Sequence, residues 1–352
     1  MTALHQFVPV LEPGAIGAHA LEVQRLCREL GVDSEVYAEE VREVWAGRGR
    51  LLKAYRGRPD DVLLYHVAIG SPVADFVAAR TERLVVDHHN ITPASYFAEW
   101  EPPVVHGIAW GRRQLAELAG RATMGLADSG FNRDELDDLG YSRTSVAPIL
   151  LDTSTFDRAV DEAALHRLQQ AGSAWLFVGR VSPHKCQHDV IKAFAAYRRV
   201  YEPTAVLRIV GASSSDRYVA ALHHLVEALD LRGAVDITGG VSDGELAAHY
   251  RSADVFVCLS EHEGFCVPLL ESWHHRVPIV AFASTAVPET LGAGGLCLPG
   301  KSASTVAAAV HKVVTDDALR AGLVAAGERR LADFDLSVTR ATWRSAIESV
   351  VA

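Results

Sequence analysis

Short apolar runs alternate with longer amphipathic segments along the first half of the chain. The runs are rich in β-branched residues and predict buried strands, and the segments between them have helical periodicity. The predicted strands are His5–Val10, Val62–Val67, Leu84–Asp87 and Met124–Asp128. The predicted helices are Ala18–Leu30 and Val73–Arg80. Continuous apolar strands separated by helices are typical of a parallel sheet that is covered on both faces.

The same alternation starts again in the second half of the chain. The predicted strands there are Ala174–Gly179, Ala205–Gly211, Val235–Gly239, Val255–Ser260 and Pro278–Ala283. The predicted helices are Asp189–Arg199, Tyr218–Leu229, Glu245–Arg251, Pro268–His274 and, at the end of the chain, Leu336–Val350. Two such series predict an α/β fold of two doubly wound domains with a cleft between them. Ligands of such sheets bind at the carboxyl ends of the strands.

The predicted boundary between the domains lies between Pro148 and Gly172. Pro148 follows a strand, residues 152–154 (Asp-Thr-Ser) are typical of a turn, and Asp161–Gln170 predicts a short solvated helix. We therefore expect an N-terminal domain over residues 1–155, a C-terminal domain over 172–335 and a terminal helix over 336–352.

Composition and charge narrow the class of protein. The chain has 352 residues, of which 49% are apolar, so it can form two sizeable cores. Its formal net charge of −10 argues against broad binding to nucleic acid or anionic lipid. We find neither a stretch long enough to span a membrane nor a signal-peptide pattern, and expect a cytoplasmic protein. The five scattered cysteines are expected to be free thiols: Cys27, Cys186, Cys258, Cys266 and Cys297.

The run Ser260–Glu271 carries the strongest chemical signal. It predicts a strand end, a tight turn at Gly264 and a helix that begins near Pro268, because proline is tolerated in the first helical turn. Glu263 lies in the turn, and Glu271 lies about one turn inside the helix. Backbone N–H groups at a helix start can bind a phosphate, and carboxylates can accept hydrogen bonds from sugar or ribose hydroxyls.

Four further loops follow predicted strands. Arg180 and Lys185 come after the first strand of the second series, where two cations can hold a pyrophosphate and stabilise a leaving group. Ser242 and Glu245 predict a helix capping box. In the first half, the glycine-rich loop 12–19 connects the first strand to the first helix, and His89 follows a buried strand.

The run Ser260–Glu271 resembles the E-x7-E motif of the retaining glycosyltransferases of family 4. The spacing of the two glutamates matches, as do Gly264, Phe265 and Pro268, whereas Cys266 stands where glycine is usual. The resemblance covers nearly the whole chain and is strongest from Phe177 to Glu289. A G-R…K loop at 179–185 also matches, although Cys186 stands where glycine often follows the lysine. The remaining matches are the H-N-I-T-P segment 89–93, the segment 127–132, the run 240–246 and Pro288-Glu289.

This resemblance implies the GT-B fold, in which two Rossmann-like domains face a central cleft. It implies a retaining hexosyl transfer from a nucleotide-diphosphate sugar of the GDP-mannose or UDP-glucose/UDP-GlcNAc type. The acceptor would be the hydroxyl of a carbohydrate, a lipid-linked sugar or a small molecule. No cofactor and no metal are expected, because side chains and a helix start supply the positive charge. We expect no nucleic-acid partner and at most a peripheral contact with a membrane.

The resemblance also implies roles for individual residues. Arg180 and Lys185 would hold the diphosphate, Glu263 the sugar and Glu271 the ribose, and His89 would contact the transferred sugar or the acceptor. The other implied donor-binding residues, most of them through backbone groups, are Gly264, Phe265, Cys266, Val267, Gly211, Gly240, Val241, Gly14 and Gly17.

Other interpretations remain open at this point. A nucleotide-sugar epimerase or a phosphorylase shares the two-domain architecture, although we see no motif for the pyridoxal-phosphate lysine of a phosphorylase. A protein that binds a sugar nucleotide without catalysis is the other alternative. The D-x-D pattern at Asp333 and Asp335 resembles a metal motif of other glycosyltransferases, but Asp335 is better interpreted as the N-cap of the terminal helix.

Overall fold

The computed structural model of the chain describes residues 2–169 and 172–351. Within them the chain divides into two compact units. Unit 1 consists of residues 1–95, 103–152 and 333–352, and unit 2 of residues 96–102 and 153–332. Gln170, the predicted end of the solvated helix, and Ala352, the end of the predicted terminal helix, lie outside the described residues.

Unit 1 is built on a parallel sheet of seven strands. They are β1 (Leu4–Leu11), β2 (Val36–Val41), β3 (Arg50–Leu51), β4 (Val62–Val67), β5 (Arg83–His88), β6 (Ala122–Ala127) and β7 (Thr144–Val146). Their order in the sheet is β3-β2-β1-β4-β5-β6-β7. The helices of this unit are α1 (Ala15–Glu29), α2 (Pro72–Ala78), α3 (Pro102–Ala119), α4 (Gly130–Asp138) and, from the end of the chain, α13 (Leu336–Val351).

Unit 2 is built on a parallel sheet of six strands in the order β10-β9-β8-β11-β12-β13. The strands are β8 (Ala174–Val178), β9 (Val206–Val210), β10 (Val235–Gly239), β11 (Val255–Cys258), β12 (Ile279–Phe282) and β13 (Leu296–Leu298). The helices are α5 (Glu162–Leu168), α6 (Gln187–Val200), α7 (Asp216–Ala228), α8 (Asp243–Arg251), α9 (Val267–His274), α10 (Val287–Leu291), α11 (Ala303–Thr315) and α12 (Asp317–Ala332). This strand order is that of a doubly wound sheet with a switch point between its first and fourth strands.

The predicted fold class is therefore confirmed in each unit. Every predicted strand and helix is present, with ends that differ by up to three residues. The prediction lacked several elements that the structure contains: β2, β3, β7, β13, α3, α4 and α10 to α12. The capping box is also confirmed, because the Ser242 hydroxyl accepts a hydrogen bond from the Glu245 backbone and the Glu245 side chain accepts one from Ser242.

The terminal helix α13 is part of the core of unit 1. Its Trp343 is fully buried with Ile347 among strand residues such as Leu64 and Val85. The Trp343 indole donates a hydrogen bond of 2.9 Å to the Pro148 carbonyl. Burial of an indole of this size stabilises unit 1 by about 2–3 kcal/mol, so residues 333–352 fold with the unit that begins the chain.

The short segment 96–102 packs in unit 2, although the chain on both sides of it belongs to unit 1. The Trp100 ring meets Tyr218 of α7 edge-on at 5.3 Å, and the Ser215 hydroxyl donates to the Trp100 carbonyl at 2.8 Å. Ser214 donates to the Glu101 carboxylate, also at 2.8 Å. These contacts hold the segment against the first turn of α7.

Candidate functional site

Two residues that the sequence separates by 78 positions meet at the carboxyl edge of the unit 2 sheet. Lys185 ends the 3-10 turn Pro183–Lys185 after β8, and Glu263 lies in the loop between β11 and α9. The Lys185 Nζ lies 2.6 Å from the Glu263 Oε2. The two side chains are 20% and 7% exposed, so this is a largely buried ion pair.

The surroundings of this ion pair fix both its charge and its position. Burial alone would lower the pKa of Lys185, but the charge and hydrogen bond of Glu263 outweigh that effect and raise it. The Glu263 backbone is clamped by Thr285, whose hydroxyl accepts from its N–H at 2.8 Å and donates to its carbonyl at 2.9 Å. The glutamate is therefore held rigidly, and the lysine is cationic at neutral pH.

Arg180 occupies the same loop but differs from Lys185 in its electrostatic state. It is exposed, and its backbone carbonyl accepts a hydrogen bond of 2.9 Å from the Gln187 amide. Within the described part of the chain, its guanidinium has neither a hydrogen-bond nor an ion-pair partner. Arg180 is thus the cation of this loop whose charge no carboxylate neutralises, and it can accept a bidentate anion.

Glu271, the second glutamate of the motif, is buried on α9. The Tyr250 hydroxyl donates to its Oε2 at 3.0 Å, and Arg158 lies 3.7 Å from its Oε1. Burial raises the pKa of Glu271, although the Tyr250 hydrogen bond and the Arg158 charge partly counteract that rise. Sequence analysis missed Tyr250 and Arg158, since neither belongs to a motif and their positions are set only by folding.

Cys266 and Cys186, which stand where glycine is usual in the family that the sequence resembles, have similar backbone conformations. Both occupy left-handed backbone conformations, with φ of 79° and 53°, and both precede the first residue of a helix, α9 and α6 respectively. Glycine adopts this conformation without steric cost, which accounts for its usual presence there. Both cysteines are buried, and the Sγ of Cys266 lies 4.0 Å from that of Cys258.

The turn before α9 contains the remaining predicted backbone donors of this motif. Gly264, Phe265 and Cys266 form the turn, and Val267 is the first residue of the helix. The N–H groups of a first helical turn have no acceptor within their own helix. The turn therefore presents hydrogen-bond donors beside the Lys185–Glu263 pair.

Two neighbouring loops complete the carboxyl edge of this sheet. Gly211 follows β9 with φ of 144°, and a Cβ there would lie 2.1 Å from the Gly179 carbonyl oxygen, so only glycine lets the two loops approach. Gly240 and Val241 follow β10 and line a cavity of about 430 Å³ together with residues that include Thr238 and Glu245. The structure thus brings all predicted site residues of the second half to one edge of one sheet.

The predicted residues of the first half lie in unit 1. Gly14 precedes α1 with φ of 151° and open space around its Cα. Gly17 lies inside α1, where a Cβ would come within 2.2 Å of the Glu12 carbonyl oxygen and 2.7 Å of the Trp45 ring. Gly17 is therefore explained by close packing of the helix, whereas Gly14 is accessible.

His89 is buried, with 1% of its side chain exposed, and both ring nitrogens contact carboxylates. Its Nδ1 lies 3.0 Å from Asp128 Oδ2, and its Nε2 lies 3.0 Å from Asp87 Oδ2. Burial disfavours the charged ring, but the two carboxylates outweigh it and hold the pKa of His89 well above its usual value. Both ring nitrogens of His89 are thus engaged by carboxylates in this structure, and its contact with a sugar or an acceptor stays a prediction.

Comparison with known proteins agrees with the resemblance seen in the sequence. Residues 167–330 match the family described as "Glycosyl transferases group 1". This segment, which is most of unit 2, is therefore similar to the glycosyl transferases group 1 family. It contains the Lys185–Glu263 pair, Glu271 and the loops around them.

Curated proteins that are similar to this chain include named glycosyltransferases. The chain is 32% identical over 264 residues to "D-inositol 3-phosphate glycosyltransferase" of Kineococcus radiotolerans, covering 69% of this chain and 60% of that protein. It is 27% identical over 252 residues to "O-antigen chain mannosyltransferase B" of Escherichia coli, covering 70% and 65%. The chain thus spans less than two thirds of the length of these relatives.

Solved structures with the same fold cover nearly all of this chain. A structure of Anabaena HepE in complex with UDP-glucose superposes with a TM-score of 0.77 at 16% identity, over 98% of this chain and 99% of that one. Sucrose-phosphate synthase from Thermosynechococcus elongatus gives a TM-score of 0.75 at 15% identity, over 99% of both chains. At these identities the likeness establishes the GT-B fold and nothing more specific. Among the described residues, no helix is both long and apolar enough to cross a membrane.

Proposed function

We propose that this protein is a retaining glycosyltransferase that moves a hexose from a nucleotide-diphosphate sugar to an acceptor hydroxyl. The observation that carries the proposal is the joint placement of Lys185, Glu263, Arg180 and Glu271 at the carboxyl edge of one doubly wound sheet. A pyrophosphate needs cations and backbone donors, and a sugar and a ribose need acceptors for their hydroxyls. This edge offers both kinds of group.

Each side chain then has a distinct task. Arg180, with an uncompensated charge, binds the diphosphate, and Lys185 adds hydrogen bonds to it from an ammonium that Glu263 already fixes in position. Glu263 accepts hydrogen bonds from the sugar, and Glu271 accepts them from the ribose. The N–H groups at the start of α9 stabilise charge that develops on the leaving group.

The proposed chemistry requires neither a metal ion nor a separate general base at this edge. Two cations and a helix start supply the positive charge that a leaving diphosphate needs. The leaving phosphate oxygen accepts the proton of the incoming hydroxyl on the same face of the sugar, and this gives retention of configuration. His89, with both ring nitrogens engaged, is a positioning residue for the loop after β5 in this proposal.

The donor class rests on the relatives. One relative from Mycobacterium tuberculosis is named "GDP-mannose-dependent alpha-(1-6)-phosphatidylinositol monomannoside mannosyltransferase". It is 32% identical to this chain over 159 residues, which are 43% of this chain and 40% of that protein. The name of this relative supports GDP-mannose as the donor, and the family resemblance of the sequence supports a UDP-hexose as the alternative. The names of the relatives support a carbohydrate, a lipid-linked sugar or a phosphorylated polyol as the acceptor.

The proposal is tested by incubating the protein with GDP-mannose, UDP-glucose and UDP-GlcNAc and measuring free nucleotide diphosphate. Release should require an acceptor, and the panel includes inositol phosphate and phosphatidylinositol vesicles as acceptors. Stabilisation by nucleotide diphosphates without any turnover would identify a binding protein instead. Absence of both binding and turnover would contradict the proposal.

The two glutamates are separated by Glu263→Gln and Glu271→Gln, with Glu227→Gln as a matched control on an exposed helix surface. Loss of charge-assisted hydrogen bonds to the ribose costs about 1.5–3 kcal/mol, so Glu271→Gln should weaken nucleotide diphosphate binding about ten- to a hundredfold. Glu263→Gln should lower kcat and leave that affinity nearly intact, because the product carries no sugar. The measurement is calorimetric titration beside steady-state kinetics. The opposite pattern would exchange the two assignments.

A further inference from the structure

Four buried side chains in unit 1 converge on a point that the proposed transfer does not use. They are His19 from α1, His66 from β4, and Asp87 and His89 from the end of β5 and the loop after it. The Asp87 Oδ2 lies 3.1 Å from His19 Nε2, 2.9 Å from His66 Nδ1 and 3.0 Å from His89 Nε2. The His66 Nδ1 and the His89 Nε2 lie 3.0 Å apart. One carboxylate oxygen therefore faces three ring nitrogens.

The outward partners of the two closest rings determine where their hydrogens lie. The His66 Nε2 faces the Gln6 side-chain carbonyl oxygen at 2.9 Å, and the His89 Nδ1 faces the Asp128 carboxylate. Both partners are acceptors, so each ring carries a hydrogen on its outward nitrogen. The inward nitrogen of His66 then directs a lone pair at His89 and Asp87, and the inward nitrogen of His89 does the same unless it holds a second proton.

His19 is oriented the other way. Its Nδ1 accepts a hydrogen bond of 2.9 Å from the Leu150 backbone N–H, so its Nε2 carries the hydrogen and donates it to Asp87. Apart from a second proton on His89, three acceptors (His66 Nδ1, His89 Nε2 and Asp87 Oδ2) thus meet around one donated hydrogen. Such a group needs a positive centre, which a proton on His89 or a metal ion between the three atoms can supply.

The charge balance leads to the same conclusion. Asp87 and Asp128 are both buried, and their partners among the described ion pairs are histidines only. The Asp87 Oδ1 is buried without a hydrogen-bond partner in the described chain. Two buried carboxylates are costly unless their charge is compensated. A second proton on His89 neutralises half of this charge, and a divalent cation in place of that proton would neutralise all of it.

We propose that this cluster is a zinc site in unit 1, with His66 Nδ1, His89 Nε2 and Asp87 Oδ2 as ligands and the fourth position taken by water or by Asp87 Oδ1, which is buried without a hydrogen-bond partner among the described residues. Imidazole nitrogen and carboxylate oxygen are ligands that Zn²⁺ takes readily. Asp128 and Gln6 orient the two ligand rings in the way that outer partners of metal-bound histidines do, and His19 donates to the ligand carboxylate. Zinc binding displaces any proton on His89 Nε2, which is released to solvent.

The distances suit this ion. Tetrahedral bonds of about 2.0–2.1 Å place neighbouring ligand atoms about 3.3 Å apart. The three ligand atoms lie 2.9 to 3.0 Å apart, so each moves outward by a few tenths of an ångström. Two cysteine-containing groups, Cys258 with Cys266 and Glu263 and Cys186 with His188 and Asp189, differ because a lysine ammonium (Lys185 and Lys301, respectively) already contacts the carboxylate of each. A zinc ion in the histidine cluster would join β4 to β5 and, through His19 and Asp128, to α1 and the loop after β6.

The test has two parts. Elemental analysis first measures the metal content of the protein purified without metal-affinity steps. The protein is then unfolded in denaturant that contains a chelator and refolded without metal, with Zn²⁺ or with Co²⁺. We expect about one zinc per chain, a higher Tm after refolding with Zn²⁺, and visible absorption bands of tetrahedral cobalt after refolding with Co²⁺. His66→Gln should lose the metal. His88→Gln should keep it, because this buried neighbour contacts Glu135 outside the cluster.

Two results would overturn the site. One is a purified protein that holds no zinc and refolds to the same Tm with and without Zn²⁺, because a proton on His89 would then supply the charge. The other is full metal content in His66→Gln. If His66→Gln does not fold, Asp128→Asn serves instead, since it keeps all three ligands. Loss of such an outer partner should weaken zinc binding about ten- to a hundredfold, and an unchanged affinity would equally contradict the proposal.

Discussion

Replacement of Lys185 by methionine removes one partner of the buried ion pair and leaves the Glu263 carboxylate alone. At 2.6 Å and an effective dielectric constant near 20, two unit charges attract by about 6 kcal/mol. Desolvation cancels much of this attraction, and the measured cost of breaking a buried pair is about 3–5 kcal/mol. Because Lys185 is 20% exposed, water can partly solvate the remaining charge, and we expect a loss of about 2–3 kcal/mol.

The assay is thermal unfolding of a set of four proteins: wild type, Lys185→Met, Glu263→Gln and the double variant. A domain of the size of unit 2 loses about 2–4 °C of Tm per kcal/mol, so Lys185→Met should unfold about 5–10 °C lower. The double variant should regain most of this loss, because no buried charge remains. Because the pKa of Lys185 is raised, the contribution of its charge is fully present below its ordinary pKa of about 10.5 and is lost only as the pH rises through the raised value. Measurements near neutral pH therefore suffice.

Turnover distinguishes the structural task of Lys185 from its catalytic one. Loss of a preorganised donor to the leaving group lowers kcat about a hundred- to a thousandfold, and the double variant should stay inactive although its stability returns. A Lys185→Met protein as stable as wild type would refute the energetic reasoning about the pair. Wild-type turnover in that variant would refute the diphosphate assignment.

Three further predictions address other parts of the structure. Arg180→Ala should weaken nucleotide diphosphate binding about ten- to a hundredfold by titration calorimetry, with an unchanged Tm because Arg180 is exposed and unpaired; a lower Tm would show an unrecognised structural contact. Turnover should survive incubation with a strong chelator, and a loss that Mg²⁺ or Mn²⁺ reverses would contradict the metal-free transfer. At Cys186 and Cys266, glycine variants should be about 1–2 kcal/mol more stable towards denaturant than alanine variants, because both residues have a left-handed backbone conformation. Alanine variants that are more stable than the glycine variants would exclude backbone strain at these positions.

The apolar pattern predicted the central strands well, because residues of parallel strands buried on both faces leave a continuous signal. Elements with a mixed environment were missed. Strand β2 exposes Glu39 and Glu40 near the sheet edge, so its sequence lacks that signal. Helix α3 contains Gly107 and Gly111, which lower helix propensity. Gly111 is nevertheless explained by packing, since a Cβ there would lie 2.4 Å from the Gly70 nitrogen.

At the candidate site, the sequence indicated which residues matter but not what they contact. Glu263 lies in the turn before α9 and Glu271 lies on α9, so the relative position of the two glutamates is set by local structure. The contact between Lys185 and Glu263 depends on the neighbouring positions of β8 and β11 in the sheet, which local patterns do not specify. The histidine cluster was missed for the same reason, because its members come from three elements and have no metal-binding spacing.

The passage of segment 96–102 into unit 2 and the return of α13 to unit 1 have a consequence for how this chain can be divided or recombined. A fragment cut at the connection near residue 152 would give one piece without Trp343 in its core and another without Trp100 against Tyr218. Neither piece would be an intact module. A chimera that exchanges the second unit between this chain and a relative must therefore carry residues 96–102 with the second unit and leave residues 333–352 with the first. The chain passes from one unit to the other four times, after residues 95, 102, 152 and 332, so no single linker separates the two units.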